Sequence, residues 1–376
     1  MRHSFNYTVL SGRQTQTKAD DYQTAIIPPS GAEVLTQHIK KHFFFILLSV
    51  FSGFLFTSCI DEPEFPQNTN EGNFEALWKI IDTKYCYLDY KNINWDSIHL
   101  VYKNQVDSTL TDRALFKLMG DMLAELKDGH VNLYSSFDLS RYQNWFTDYP
   151  DNFSSILIYS DKYLGDNYHI AGGMRYGRID NGNIGYIYYG DFSNRFSDTN
   201  ISYIFNYFKN CKGLIIDVRD NGGGYLDLSE QLASYFFTKE TITGYIQHKT
   251  GDGHTDFSKS QEIKTPAHKT LQWQRPVVVL TNHMSFSATN SFVVRMKLAP
   301  NATVVGDKTG GGGGLPFSSE IPNGWMVRFS ASPIFDANMQ QTEWGIDPDV
   351  KVDLEVADEL NGIDTMIEKA IEIIKK

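Results

Sequence analysis

Residues Val277–Leu315 read VVVLTNHMSFSATNSFVVRMKLAPNATVVGDKTGGGGGL. The first four form a wholly apolar, mostly β-branched run, the pattern of a strand covered on both faces of a mainly parallel sheet. A polar turn then delivers Ser287 to the start of a helix in which Ala288, Phe292, Val293 and Met296 fall on one face. Thr303-Val304-Val305 returns to the sheet, and five glycines follow. The unit puts a hydroxyl at a helix N-terminus, where unpaired N–H groups and the helix dipole favour negative charge. Serine before a helix is most often only an N-cap, so position alone leaves Ser287 as either a cap or a nucleophile.

Strands at Ile184–Tyr189 and Leu214–Val218 flank an amphipathic helix around Ile201–Phe208, the βαβ pattern of a parallel sheet. The second strand runs into Arg219-Asp220-Asn221-Gly222-Gly223-Gly224 before a helix from Leu226 to Phe237. A structural turn needs one glycine or two, and three suggest close approach of backbone N–H groups to a ligand. Upstream, helical spacing predicts helices at Phe74–Tyr85, from Asn94 onward and at Asp112–Leu126. This helical region ends in KDGHVNL, which sets His130 where helix gives way to strand, a place from which a side chain reaches a cleft. Between 135 and 175 the signals are weak strands at Ser155–Tyr159 and Tyr168–Ala171. Residues 239–270 read as hairpin and loop beside the cleft, Ile321–Pro333 as a hairpin around Pro322-Asn323-Gly324-Trp325, and Asp364–Lys375 as a closing helix.

In this order and separation, KDGHVNL, IIDVRDNGGG, SFSATNSF and VVGDKTGGGGG resemble the tail-specific (C-terminal-processing) serine peptidases and their relative, the tricorn protease core, over about residues 74–376. The resemblance implies an α/β fold: a crotonase-like core of ββα units at 135–376 behind a helical N-terminal region at 73–134. It also implies a serine peptidase acting on flexible or C-terminal polypeptide, with Ser287 as nucleophile and an oxyanion hole formed by Ala288 with Gly223 or Gly224. Ser285 is the near miss. Two departures matter. The position where tail-specific members carry a catalytic lysine holds Gly312, whereas His130 and Glu343, in TEWGIDPD, match the histidine and glutamate of the tricorn-like branch. Lys308 lies four residues before the lysine position. A histidine base has an ordinary pKa of about 6.5 and is already neutral at pH 7, so the rate is expected to fall with acid in the histidine range. The second departure is the stretch 135–175, too short for an inserted PDZ domain. The competing implication is a peptide- or ligand-binding protein that has kept the fold and lost the chemistry.

A net charge of −11 over 376 residues argues against nucleic acid as a partner. GDKTGGGG lacks the glycine before Lys-Thr that a phosphate loop requires, and no HExxH or calcium loop is present, so neither metal nor cofactor is expected. The run FFFILLSVFSGFLF (43–56), with basic residues before it and Thr57-Ser58-Cys59 after it, has the length of a signal-peptide core rather than a membrane span. Small residues before Cys59 resemble a bacterial lipobox, which implies a signal peptide over 1–58, lipidation at Cys59, and a cell-envelope protein tethered on the periplasmic or outer-surface side. Residues 1–37 exceed an ordinary n-region, and the expectation is a start site placed too early. Acidic, Pro/Asn-rich residues 59–72 read as a flexible spacer. Cys86 and Cys211 either pair in an oxidising compartment or remain buried free thiols, the spacing pointing to the latter.

Overall fold

Val277–Thr281 is buried along its whole length and is an interior strand, third in order, of a seven-stranded sheet. The computed structural model describes residues 66–376; the expected signal segment, Cys59 and the first part of the spacer lie outside them. In chain order the elements are α1 (Asn70–Lys84), α2 (Trp95–Lys103), α3 (Asp112–Ala124), β1 (Asn132–Tyr134), β2 (Leu139–Arg141), α4 (Asn144–Thr147), α5 (Ser155–Ile158), β3 (His169–Ala171), β4 (Met174–Ile179), β5 (Ile184–Tyr188), α6 (Asp198–Tyr207), β6 (Gly213–Asp217), α7 (Leu226–Ser234), β7 (Thr241–Ile246), β8 (Gln261–Thr265), β9 (Val277–Thr281), α8 (Ala288–Met296), β10 (Ala302–Gly306), β11 (Gly314–Glu320), β12 (Met326–Asp336), β13 (Val350–Lys351), α9 (Val356–Leu360) and α10 (Thr365–Lys375). This is the expected α/β fold.

The large sheet runs β13-β10-β9-β6-β5-β4-β3, parallel from β13 to β5 and antiparallel beyond. Strand alternation sends Leu214, Ile216, Val277, Val279 and Val304 to a core shared with Ile204, Phe208, Leu232, Phe292 and Met296. Ile215, Val278, Leu280 and Val305 face Met366, Ile367, Ala370 and Ile374 of α10 on the other side. Each such side chain contributes roughly 1.5–3 kcal/mol on leaving water, and two-sided burial explains why these strands carry no polar alternation. Helix α8 has no solvent face, because all nine of its residues are buried. At the C-terminal end of β6, Arg219 is wholly buried between Asp217 (2.6 Å) and Asp364 (2.9 Å). Asp364 also accepts the N–H groups of Met366 and Ile367, so one guanidinium locks the start of the Asn221–Gly224 loop to the cap of α10.

The second sheet runs β2-β1-β12-β7-β8, with β11 also paired to β12. Helices α1 and α3 pack on it through Phe74, Leu77, Ile81, Leu115, Met119, Met122 and Leu123 against Leu133, Val327 and Phe329. The helical region and the sheets therefore belong to one compact unit rather than two. Three readings need correction. The spacer ends earlier than Gly72, because Thr69 accepts the Gly72 N–H and starts α1 at Asn70. Ser155–Tyr159 is not a strand: Leu157 and Ile158 are buried while Ile156 is exposed, and one helical turn achieves that without a sheet partner. The helix after the glycine loop stops at Ser234 rather than Phe237. Residues 135–175 hold β2, two one-turn helices and β3. Cys86 and Cys211 are buried free thiols.

Candidate active site

Ser287 is no ordinary N-cap. Its hydroxyl caps nothing, and its backbone sits at φ 59, ψ −117, a region that costs a side-chain-bearing residue roughly 1–3 kcal/mol. The strain is held from two sides: Asn221 accepts the Phe286 N–H at 3.1 Å, and Gly311 accepts the Ser287 N–H at 2.9 Å. The turn thus lifts the hydroxyl out of a buried helix to a half-exposed position, where it meets His130 Nε2 at 3.0 Å. Ser285 is fully buried and committed elsewhere, donating to the Val218 carbonyl at 2.7 Å and accepting the Asn282 N–H at 3.2 Å. It holds the turn. Asn290 accepts from Thr309 Oγ1 at 2.6 Å and donates to the Thr342 carbonyl at 3.2 Å, tying α8 to the segment that carries Glu343.

The glycine loop packs against this turn. A Cβ on Gly223 (φ +102) would lie 2.7 Å from the Phe286 carbonyl oxygen and 2.9 Å from the Ala288 nitrogen. Gly223 is therefore needed for contact, but its own N–H is donated to Asn221 Oδ1 at 3.0 Å. That oxygen also accepts from Thr289 Oγ1 at 2.6 Å. The N–H groups of Ala288 and Gly224 have no backbone acceptor among the described residues. Gly224 lines a cavity of about 210 Å³ with Ser287, Gly312, Leu315, Pro316 and Arg328. Of the two sequence alternatives, Gly224 with Ala288 is the pair left free to receive an oxyanion.

His130 is buried against Phe286, ring centroids 4.6 Å apart. Burial first, then the charges of Arg328 and Lys91, outweigh Asp128 and bring its pKa down to about 4. The expected histidine-range ionisation is therefore displaced to more acid pH, because an imidazolium here would be both desolvated and faced by cations. The structure also explains the glycine at the lysine position. A Cβ on Gly312 (φ +74) would stand 2.5 Å from Phe286 and 3.0 Å from His130 Cε1, so the space beside the serine belongs to the histidine. Lys308 is half exposed and lies 3.7 Å from Asp347.

Glu343 is buried near the site but does not bond His130, whose Nδ1 has no protein partner among the described residues. Its carboxylate accepts from Lys91 at 2.7 Å and from the Gly313 N–H at 3.1 Å. Lys91, its side chain also buried, lies 3.3 Å from Asp128 and stacks 4.6 Å over the Trp344 ring. Asp128 in turn accepts from Tyr85 (2.8 Å), Ser330 (3.2 Å) and the His130 backbone N–H (2.7 Å). Two carboxylates share one ammonium in a dry site. Burial opposes ionisation of Asp128, but Lys91, His130 and these hydrogen bonds hold it at about 2. Burial and then the Asp128 charge push Glu343 up to about 8. Sequence reasoning missed Lys91 and Asp128. Asp128 stands inside the quoted KDGH and could have been found there; Lys91 lies in a loop with no motif around it.

The histidine–serine pair, two free N–H donors and an adjoining cavity can perform acyl transfer through a covalent serine intermediate. Among the described residues no cluster of three His, Cys, Asp or Glu is arranged to hold a metal. Residues 183–352 match the model of peptidase family S41, and residues 66–124 match that of the tricorn protease C1 domain. A crystal structure from Parabacteroides merdae ATCC 43184, described only as a candidate peptidase, is 51% identical, with a TM-score of 0.79 over 82% of this chain and 97% of that one. The chain is 32% identical over 122 residues to the carboxy-terminal processing protease CtpB of Bacillus subtilis, covering 32% of this chain but only 24% of that relative. Mature CPAF shares the fold at 13% identity, with a TM-score of 0.60.

Proposed function

Because the chain belongs to peptidase family S41, we propose that it is a serine peptidase that hydrolyses peptide bonds in flexible or carboxy-terminal polypeptide segments. The 3.0 Å contact between Ser287 and His130 across a strained turn carries this reading. Ser287 Oγ attacks the scissile carbonyl as His130 Nε2 takes its proton. The oxyanion rests on the Ala288 and Gly224 N–H groups. The same nitrogen then returns the proton to the leaving amine, and water releases the acyl group by the reverse sequence. Glu343 acts at one remove, through the Lys91–Asp128 charge cluster that fixes the His130 backbone.

A fluorophosphonate probe tests the assignment without knowledge of the natural substrate. The folded full chain should form one adduct, mapped by mass spectrometry to Ser287. A folded protein that stays unlabelled would leave the alternative of a binding protein with the same fold.

The apolar run 43–56 and the small residues before Cys59 support a cell-envelope location with a lipid on Cys59, the domain facing the periplasm or outer surface. No described helix is long and apolar enough to cross a membrane. Cys59→Ala should abolish incorporation of labelled fatty acid. A processed protein beginning anywhere but Cys59 would sink the anchor.

A further inference from the structure

Arg328 projects from β12 between Asn132 of β1 and Ser318 of β11, its cross-strand partners. It shares a strand face with Ser330, two residues on, whose hydroxyl reaches Asp128 in the charge cluster. Its side chain therefore opens on the catalytic side of the sheet, where it lines the 210 Å³ cavity together with Ser287, Gly224 and Gly312. Three other arginines are matched to carboxylates, Arg195 with Asp227, Arg219 with Asp217 and Asp364, and Arg295 with Glu230, whereas Arg178 and Arg275 donate to backbone carbonyls and Arg113 and Arg141 lie over the rings of Phe137 and Phe146. Arg328 has no ion-pair partner among the described residues. The two acids closest to the catalytic pair are already engaged, Asp128 by Lys91, Tyr85 and Ser330 and Glu343 by Lys91 and the Gly313 N–H. What sets Arg328 apart is its place: a half-buried guanidinium without a carboxylate lines the same cavity as the nucleophile.

We propose that Arg328 is the carboxylate receptor of the cleft, holding a negatively charged group of the peptide next to the scissile bond. This specificity rests on the peptidase reading of the same site. A guanidinium binds a planar carboxylate through two parallel N–H donors, which gives orientation as well as affinity. The rest of the cavity suits one residue carrying that carboxylate: Leu315, Pro316 and Ile334 give apolar wall, and three glycines leave room for peptide backbone. Occupancy also acts on the base. Arg328 is one of the cations that disfavour protonation of His130, so a carboxylate docked on it removes that opposition as the histidine must accept the serine proton. The carboxylate comes either from the last residue's α-carboxyl group or from an Asp or Glu side chain flanking the cleaved bond.

Matched short fluorescein-labelled peptides separate these sources: free acid against C-terminal amide, and Glu against Gln on either side of the cleaved bond. In the wild-type chain one arm should show kcat/KM higher for the charged member by roughly ten- to a hundredfold, the range of a charged hydrogen bond. The ratio should fall toward one in Arg328→Met and in Arg328→Gln. Fluorescence anisotropy of the same peptides on Ser287→Ala, with and without Arg328→Met, reads the preference as a ratio of Kd values and needs no turnover. A wild-type ratio near one in both arms, or one that survives Arg328→Met, overturns the proposal. A carboxylate preference in binding that depends on Arg328, in a chain that neither cleaves peptide nor takes the fluorophosphonate, would overturn the peptidase reading and leave the receptor standing.

Discussion

Ser287→Ala is expected to lower kcat/KM for peptide hydrolysis by roughly 10⁴-fold or more while the protein stays folded. The hydroxyl makes its contact with His130, and its removal leaves the backbone bonds from Phe286 and Ser287 in place. Ser285→Ala should behave in the opposite way. It strips a buried hydroxyl from the Val218 carbonyl and the Asn282 N–H, at a cost of about 1–3 kcal/mol in stability, but keeps the nucleophile. Steady-state kinetics beside thermal melts would separate the two. A dead Ser285→Ala with an active Ser287→Ala would move the nucleophile by two residues.

His130→Ala should cost a comparable factor, since among the described residues no second base bonds the serine hydroxyl, and it should also erase the acid limb of the rate profile. In the wild type the base must be neutral, and burial holds its pKa near 4. kcat/KM for an uncharged peptide should therefore be flat from neutrality to about pH 5 and fall below that, rather than falling through 6.5. Stability follows the same sign. The unfolded chain takes up a proton near 6.5 and the folded site only near 4, so this residue's contribution is complete above 6.5 and is lost as pH falls toward 4. Glu343→Gln should reduce turnover less than His130→Ala, because a carboxyl pushed up to about 8 is already close to neutral at pH 7. Lys308→Ala should leave most of it, in keeping with that lysine's place beside Asp347. Activity that survives His130→Ala and vanishes in Lys308→Ala would restore a serine–lysine mechanism.

The strands of the large sheet were legible because two-sided burial leaves an unbroken apolar run, as in Val277–Leu280. The serine turn was legible in order, strand then Ser287 then helix, but not in its energetics. A left-handed φ at a non-glycine residue has no signature in composition, and it was the glycines opposite that hinted at crowding. His130 and Ser287 could be paired only through the family resemblance, since 157 residues separate them. The choice between Gly223 and Gly224 was closed to sequence, because it turns on where the Asn221 side chain points. Ser155–Tyr159 misled because a run of apolar residues that short fits a buried strand or a single helical turn equally well.

The ammonium of Lys91 bridges the loop after α1 to a glutamate 252 residues later in the chain. The Ser287–His130 centre consequently has the character of an interlock. Until the amino-terminal helices have settled against the sheet, Asp128 lacks the Lys91 and Tyr85 contacts that steady the His130 loop, and until residue 343 has been added Lys91 lacks its second carboxyl partner. An unfinished chain, or one whose helical region has been clipped or peeled away, loses that arrangement with Ser287 untouched. Under the proposed function, hydrolytic competence thereby depends on the helical region and the Glu343 segment both being in place, and copies that lose either are expected to fall silent.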